Sequence, residues 1–411
     1  MSQKLTSYPK EKINILFLEN VSEKAVKQFE QFGYSNIKQI KGSLSEVEII
    51  KAVKNVHLLG IRSKTCITKK VLDAAEKLQA IGCFCIGVNQ VDVKAATKNG
   101  IVVFNSPYSN TRSVAELVIG ASIMLMRKIL DKNLAAHKGN WVKDATGSFE
   151  LRGKTLGIIG YGNIGSQVSV LAESFGMKII YYDADTKLPL GNAVECKSIK
   201  ELVSTADIIS LHVPEIPSTK NLINKSNLKY FKKGSHLINY SRGQVVDLKA
   251  LAEAIKSEQI GGAAVDVYPE EPENNNDPFE TPLQGLLNVL LTPHIGGSTV
   301  EAQQNIGLDV SNKLFQYLEK GITTGSHSVP ALALPEQEGT HRILHIHKNV
   351  PGVLGSINSL LSKNNINIVS QFLKTNEEVG YVVLDVDKKI SNKAVQLLKG
   401  VKETIKVRLL Y

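Results

Sequence analysis

The chain has 411 residues, 43% of them hydrophobic and 21% charged, which fits a globular protein of two or three domains. No apolar run approaches the roughly 20 residues that cross a bilayer. The polar opening, Met1–Glu11, carries neither a secretory nor a transit pattern, so no membrane role and a cytoplasmic location are expected. The net charge of +10 comes from scattered lysines without a basic run or interleaved aromatics. That argues against nucleic acid, and for a solvated surface or an anionic small molecule.

Along the chain, short apolar runs alternate with helical patterns. Ile13–Leu18, Asn36–Ile40, His57–Ile61, Leu78–Ile86 and Ile101–Asn105 read as strands, with helices such as Ser22–Phe32 and Ser43–Val53 between them. This alternation predicts a parallel sheet covered by helices. Cys83 and Cys85 fall in the apolar stretch Ala80–Ile86 and read as core residues. They lack the two-residue spacing of a redox or metal pair, and no metal-ligand pattern is present.

A long helix, Val114–Ile129, leads into a second α/β unit. Its strands are Thr155–Gly160, Lys178–Tyr182, Ile208–Val213, Ser235–Asn239, Gly262–Val267 and Val289–Leu291. Ser198 with Glu201 has capping-box spacing, and Asp247 precedes a helical face of Leu248, Leu251, Ala252 and Ile255. A helix over Thr299–Glu319 is expected to fold back onto the first unit. Gly321–Gly339, with Pro330 and Pro335, reads as a linker. The remainder runs strand Arg342–Lys348, helix about Val353–Leu361, strands Ile366–Leu373 and Tyr381–Val386, helix about Lys393–Leu398, strand Thr404–Leu410. This βαββαβ order is ferredoxin-like.

The strongest local signal is Gly160-Tyr-Gly162-Asn163-Ile164-Gly165, between a strand and a helix. The first glycine permits a tight turn, the second a close approach of backbone to a pyrophosphate, and the third close helix–strand packing. Asp183 closes the next strand, where a carboxylate bonds the ribose hydroxyls and repels a 2′-phosphate. The pair predicts NAD rather than NADP. Arg242, Glu271 and His294 each follow an apolar strand, at the sheet end where ligands bind. A histidine exchanges a proton with a hydroxyl, a carboxylate orients it, and an arginine grips a substrate carboxylate. Together they predict hydride transfer at a 2-hydroxy acid.

With these residues in place, the sequence resembles the D-isomer-specific 2-hydroxyacid dehydrogenases. The segments Ile81–Gly87, Asn110–Gly120 and Leu291–Ser298 carry the likeness most specifically. The resemblance implies a flavodoxin-like substrate domain over residues 1–108, completed by 299–335. It also implies a Rossmann-type NAD domain over 109–298 and an ACT regulatory domain over 340–411. The implied reaction is NAD-dependent oxidation of D-3-phosphoglycerate to 3-phosphohydroxypyruvate, the first committed step of L-serine synthesis. Glycerate, hydroxypyruvate or 2-hydroxyglutarate as substrate, and a non-enzymatic NAD-binding co-repressor, are the alternatives.

The resemblance makes Arg242, Glu271 and His294 catalytic. It places Gly160, Gly162, Asn163, Ile164, Gly165, Asp183, Tyr240, Ser241, Arg242, Asp266, His294, Ile295, Gly296 and Gly297 at NAD, with Asp266 at the nicotinamide carboxamide. Arg62, Ser63, Lys64 and Lys143 are candidates for the substrate phosphate, facing a cleft. Asn110 either contacts substrate or caps the helix that follows, with the cap favoured. In the terminal domain, His347, Asn349 and Asn367 match positions that bind L-serine across a subunit interface. A homotetramer is implied, and Glu338 beside Gly339 suggests a stiffened hinge.

Overall fold

The computed structural model describes residues 9–272 and 276–410, so most of the polar opening lies outside the described residues. The chain forms two compact units, residues 1–109 with 303–411, and residues 110–302. Among the described residues no helix is long and apolar enough to cross a membrane, and no cluster of His, Cys, Asp or Glu is arranged to hold a metal.

The first unit opens with five strands: β1 (Ile15–Phe17), β2 (Ile37–Gln39), β3 (Leu58–Ile61), β4 (Ala80–Cys83) and β5 (Val102–Phe104). They pair in parallel in the order β2-β1-β3-β4-β5, the flavodoxin-like order. Strands β3 and β4 are buried along their whole length, which explains their unbroken apolar sequence. The apolar run Leu78–Ile86 outlasts its strand. Phe84 turns to meet Phe17 edge-on, and Cys85 starts a loop. The helices between strands start on capping residues, among them Ser22, the Ser45–Glu48 capping box and Asp92.

The helix Val300–Lys320 covers this sheet through Ile306, Val310, Leu314, Tyr317 and Leu318. A Cβ on Gly82 would lie 2.7 Å from Val310, so only glycine permits that approach. The first part of the stretch expected as a linker, residues 321–334, is packed, while residues 335–339 run mostly exposed and without secondary structure. Ser328 is buried, its hydroxyl donating to Ile101 O at 2.7 Å and accepting from Val103 N at 3.0 Å, and Ser326 bridges Phe104. These contacts satisfy the polar backbone of the edge strand β5, which turn-forming composition alone does not reveal.

The second unit holds a seven-stranded parallel sheet. Its strands are β6 (Thr155–Ile159), β7 (Lys178–Tyr182), β8 (Val194–Glu195), β9 (Ile208–Leu211), β10 (Ser235–Asn239), β11 (Ile260–Val265) and β12 (Val289–Leu291). The order β12-β11-β10-β9-β6-β7-β8 reverses beside β6, as in the Rossmann fold. The leading helix spans Thr111–Met126 and ends where Lys128 turns left-handed (φ 49), so Ile129 begins a separate helix, Ile129–His137. Asp247 caps its helix as expected, and Ser198 accepts from Glu201 N while Glu201 binds Lys197 N.

The terminal strands β13 (His341–Lys348), β14 (Ile368–Thr375), β15 (Val379–Val386) and β16 (Thr404–Leu410) form an antiparallel sheet, order β14-β15-β13-β16. Together with the helices Val353–Lys363 and Ser391–Lys399 they complete the βαββαβ order. One face packs Ile343, Val382 and Leu384 under the helices. The other sends Leu344, Ile346, Tyr381 and Val383 into the same core as the helix Val300–Lys320.

Arg342 is 1% exposed at this junction. Its guanidinium makes a forked pair with Asp385 (2.8 and 2.9 Å) and donates to the carbonyls of Lys320 and Pro335, both at 3.2 Å. Replacing Asp385 by alanine leaves that cation buried without its counter-charge, at a cost of about 3–5 kcal/mol. Asp385→Ala is therefore expected to lower the thermal unfolding midpoint by several degrees, and calorimetry checks it.

Candidate active site

The carboxyl end of β6 opens into the glycine turn. Gly160 has φ +93, and a Cβ there would sit 2.3 Å from His212 O. A Cβ on Gly165 would lie 2.1 Å from Gly160 O, so the helix Asn163–Ser174 packs on its strand only through glycine. Nothing lies within 4 Å of the corresponding position on Gly162. That open side, at the N-terminus of a 12-residue helix, fits a pyrophosphate. Asn163 is exposed and Ile164 half-buried beside it.

Asp183 accepts from Tyr161 N (2.7 Å) through one oxygen and from Asp185 N (3.0 Å) through the other. It therefore helps to hold the glycine turn, and each oxygen keeps a lone pair for a ribose hydroxyl. Lys187 reaches to 3.8 Å of it. Tyr161 stacks on Tyr181 at 4.0 Å and bonds Ser169, which locks the turn against the sheet.

The three candidate catalytic residues lie beyond β10, β11 and β12. After β10, Asn239 gathers the turn, its amide accepting from Ser241 N and Oγ and donating to Arg242 O. Tyr240 and Ser241 are buried and Arg242 is exposed, its guanidinium donating to Ser241 O at 2.7 Å. After β11, Asp266 is 1% exposed. Its carboxylate takes Thr292 Oγ1 (2.6 Å), Ile295 N (2.8 Å) and Gly296 N (2.7 Å). Asp266 thus holds the loop after β12, in addition to any contact with a nicotinamide.

That loop carries His294 at φ 54, a left-handed conformation that costs about 1–3 kcal/mol for a residue other than glycine. The bonds from Asp266 to the next two amides hold it there. The result is a 2.7 Å contact between His294 Nδ1 and Glu271 Oε2, while Glu271 Oε1 accepts from Tyr268 N at 3.1 Å. Nδ1–H donates to the carboxylate, so Nε2 is left to exchange a proton.

The bond from Glu271 raises the His294 pKa above its ordinary value against the opposing effect of burial. Burial pushes the Glu271 carboxyl up, but the bonds from His294 and Tyr268 N outweigh it and hold the group low. Gly297 lies against the Asn110 side chain. Asn110 occupies the N-cap position of its helix but makes no capping bond, which corrects the favoured sequence reading.

The remaining candidates lie elsewhere. Arg62, Ser63 and Lys64 follow β3 in the first unit, with Arg62 half-buried and the other two exposed. Lys143 belongs to the second unit, on an exposed irregular stretch with Trp141. His347 lies next to the end of β13, buried against Gly380, and Asn349 follows the strand and donates to Asn376 O at 2.7 Å. Asn367 precedes β14 at the opposite end of that sheet, since Ile368 pairs with Val386 and His347 with Gly380. One chain does not bring the three together. Sequence reasoning missed Glu19 and Gln90, whose side chains bind the backbone of the Arg62–Thr65 loop, because neither sits in a motif.

A Rossmann sheet whose carboxyl end carries a paired histidine and glutamate defines an NAD-dependent dehydrogenase of 2-hydroxy acids. The profile of the D-isomer specific 2-hydroxyacid dehydrogenase NAD-binding domain matches residues 119–296, and that of an AHAS small subunit-like ACT domain matches residues 343–408. D-3-phosphoglycerate dehydrogenase of Escherichia coli (strain K12) is 50% identical over 407 residues, covering 98% of this chain and 99% of that protein. The Dictyostelium discoideum protein of the same name is 49% identical, covering 99% of each. Among solved structures, D-lactate dehydrogenase from Aquifex aeolicus complexed with NAD and lactic acid superposes with a TM-score of 0.65 at 26% identity. That match covers 77% of this chain and all of the other. The chain belongs to the D-isomer-specific 2-hydroxyacid dehydrogenases, in the D-3-phosphoglycerate dehydrogenase branch. It is an oxidoreductase that uses NAD.

Glu271→Gln removes the charge that favours the imidazolium. The His294 pKa is expected to fall in that variant, measured by NMR titration of the ring. An unchanged titration would contradict the pairing.

Proposed function

We propose that this chain oxidises the C2 hydroxyl of D-3-phosphoglycerate to 3-phosphohydroxypyruvate, the entry step of L-serine synthesis. The observation that carries the reading is the His294–Glu271 pair at the carboxyl end of the Rossmann sheet, and the names borne by relatives of half-identical sequence supply the substrate. NAD, when bound, supplies the acceptor for the hydride that leaves C2. His294 Nε2 takes the hydroxyl proton, and Glu271 stabilises the imidazolium that forms. Arg242 grips the substrate carboxylate, which fixes C2 in register. Arg62, Lys64 and Lys143 meet the phosphate, with Ser63 as an added donor, and Asn110 borders the substrate.

The residues that hold NAD are Gly160, Gly162, Asn163, Ile164 and Gly165 at the pyrophosphate and Asp183 at the adenosine ribose. Tyr240, Ser241, Asp266 and Ile295–Gly297 lie toward the nicotinamide. Reduction of the oxo acid needs His294 protonated, so its rate falls as pH rises through the His294 pKa. In Glu271→Gln that fall moves to lower pH.

L-serine is the proposed effector, held by His347 and Asn349 of one chain and Asn367 of another. The placement of Asn367 at the far end of the sheet supports a site shared between copies, and a homotetramer supplies such copies. The four free cysteines suit work in the cytoplasm.

The test is NADH formation from D-3-phosphoglycerate and NAD, with L-serine titrated in. His294→Ala is expected to lose about 10²–10⁴-fold in kcat. Asn367→Ala is expected to keep turnover and lose the serine response. No turnover in either direction by folded protein would remove the phosphoglycerate reading. Turnover without a serine response would remove the effector.

A further inference from the structure

We propose that Glu19 and Gln90 are positioning residues that set the Arg62–Thr65 loop from its two sides. The inference rests on the reading of that loop as the one that meets the substrate phosphate. In the first sheet β3 lies between β1 and β4, so the loops after β1 and β4 flank the loop after β3. Those flanking loops send side chains onto its backbone.

Glu19 lies two residues past the end of β1, and its two oxygens divide their work. One accepts from Lys64 N at 3.0 Å, the other from Thr65 N at 2.7 Å. Glu19 is 8% exposed, and both it and Asn20 adopt left-handed backbone (φ 60 and 53). Two adjacent non-glycine residues in that region are unfavourable and persist only where the surroundings over-determine them. Here the turn points the carboxylate inward onto the amides. From the other side, Gln90 Nε2 donates to Arg62 O at 2.5 Å, and the Cys85 thiol lies 3.6 Å from the same oxygen.

Three backbone groups within four residues are thus held by side chains from outside the loop. Among the described residues, no hydrogen bond or ion pair engages the Arg62 guanidinium or the Lys64 ammonium.

The chemistry of the arrangement is specific. Amides at the carboxyl end of a parallel strand are a common anion site. Here an internal carboxylate occupies those of Lys64 and Thr65. With those two amides taken, the loop's contribution to an incoming phosphate falls mainly to the side chains of Arg62 and Lys64, whose direction depends on the pinned backbone. A guanidinium displaced by an ångström loses most of its forked contact.

Steady-state kinetics with D-3-phosphoglycerate and NAD tests the proposal on Glu19→Gln, Gln90→Ala and the reference Arg62→Ala, alongside thermal unfolding. Glu19→Gln keeps the shape but turns an amide N–H toward a backbone N–H. It is expected to raise KM for phosphoglycerate about tenfold, with kcat and KM for NAD within about twofold. Gln90→Ala is expected to raise the same KM by a smaller factor.

A lower melting point with unchanged KM in Glu19→Gln would make the residue merely structural and overturn its role. Unchanged KM in Gln90→Ala would overturn the role given to Gln90, and that variant decides for both if Glu19→Gln does not fold. If Arg62→Ala itself leaves KM unchanged, the reading of the loop as phosphate-binding fails, and this proposal with it. A raised KM in Arg62→Ala alone would sink only the positioning roles.

Discussion

Asp266 holds together the part of the second unit on which the chemistry depends. Its buried carboxylate takes one hydroxyl and two consecutive amides from the loop after β12. Those bonds keep the peptide on the C-terminal side of His294 fixed while the residue itself turns left-handed. Without them the imidazole could relax to ordinary backbone geometry and leave Glu271, and the raised pKa of His294 would go with it. A charged acceptor with three donors in a water-poor setting is among the stronger polar arrangements available to a protein.

The same device recurs at several strand termini of the two parallel sheets. Asp183 gathers the amides of Tyr161 and Asp185 at the glycine turn, Glu19 those of Lys64 and Thr65, and Asp207 that of Thr155 at the foot of β6. A parallel sheet projects unpaired amides into its loops, and each must find an acceptor. Carboxylates from neighbouring crossings satisfy them and at the same time freeze loops that carry function. The acids near the site are therefore divided between building it and acting in it, with Glu271 doing both.

The terminal sheet obeys a different constraint. Its central strands β13 and β15 are buried on both faces, because one face is covered by the domain's own helices and the other by the helix Val300–Lys320. Arg342 secures that second contact by reaching two carbonyls at the junction while paired with Asp385. Tyr381 OH adds a bond to Gly321 O at 2.6 Å, and Lys406 one to Leu78 O at 2.6 Å. Lys406 is half-buried there, and burial, aided by Arg408, pulls its pKa down to about 8. These bonds and the shared apolar core seat the terminal domain on its neighbour.

Much of this was legible in the residues alone. Alternating apolar and helical patterns expose both parallel sheets, because burial on two faces demands continuous apolar strands. The glycine turn is legible because a missing Cβ at Gly160 and Gly165 answers a local steric need. Arg242, Glu271 and His294 stand out as polar residues at the ends of apolar runs. What pattern could not supply is every contact between residues distant in the chain. The left-handed backbone of His294, the double anchoring by Asp266 and the grip of Glu19 and Gln90 on the Arg62 loop belong to this group. So do the packing of residues 321–334 and the separation of Asn367 from His347. Local propensity is written in neighbouring residues, and the sequence by itself determined the elements, the cofactor turn and the class of chemistry. The direction of the His294, Glu271 and Arg62 segments was decided only by tertiary structure, because the groups that hold them come from loops tens of residues away.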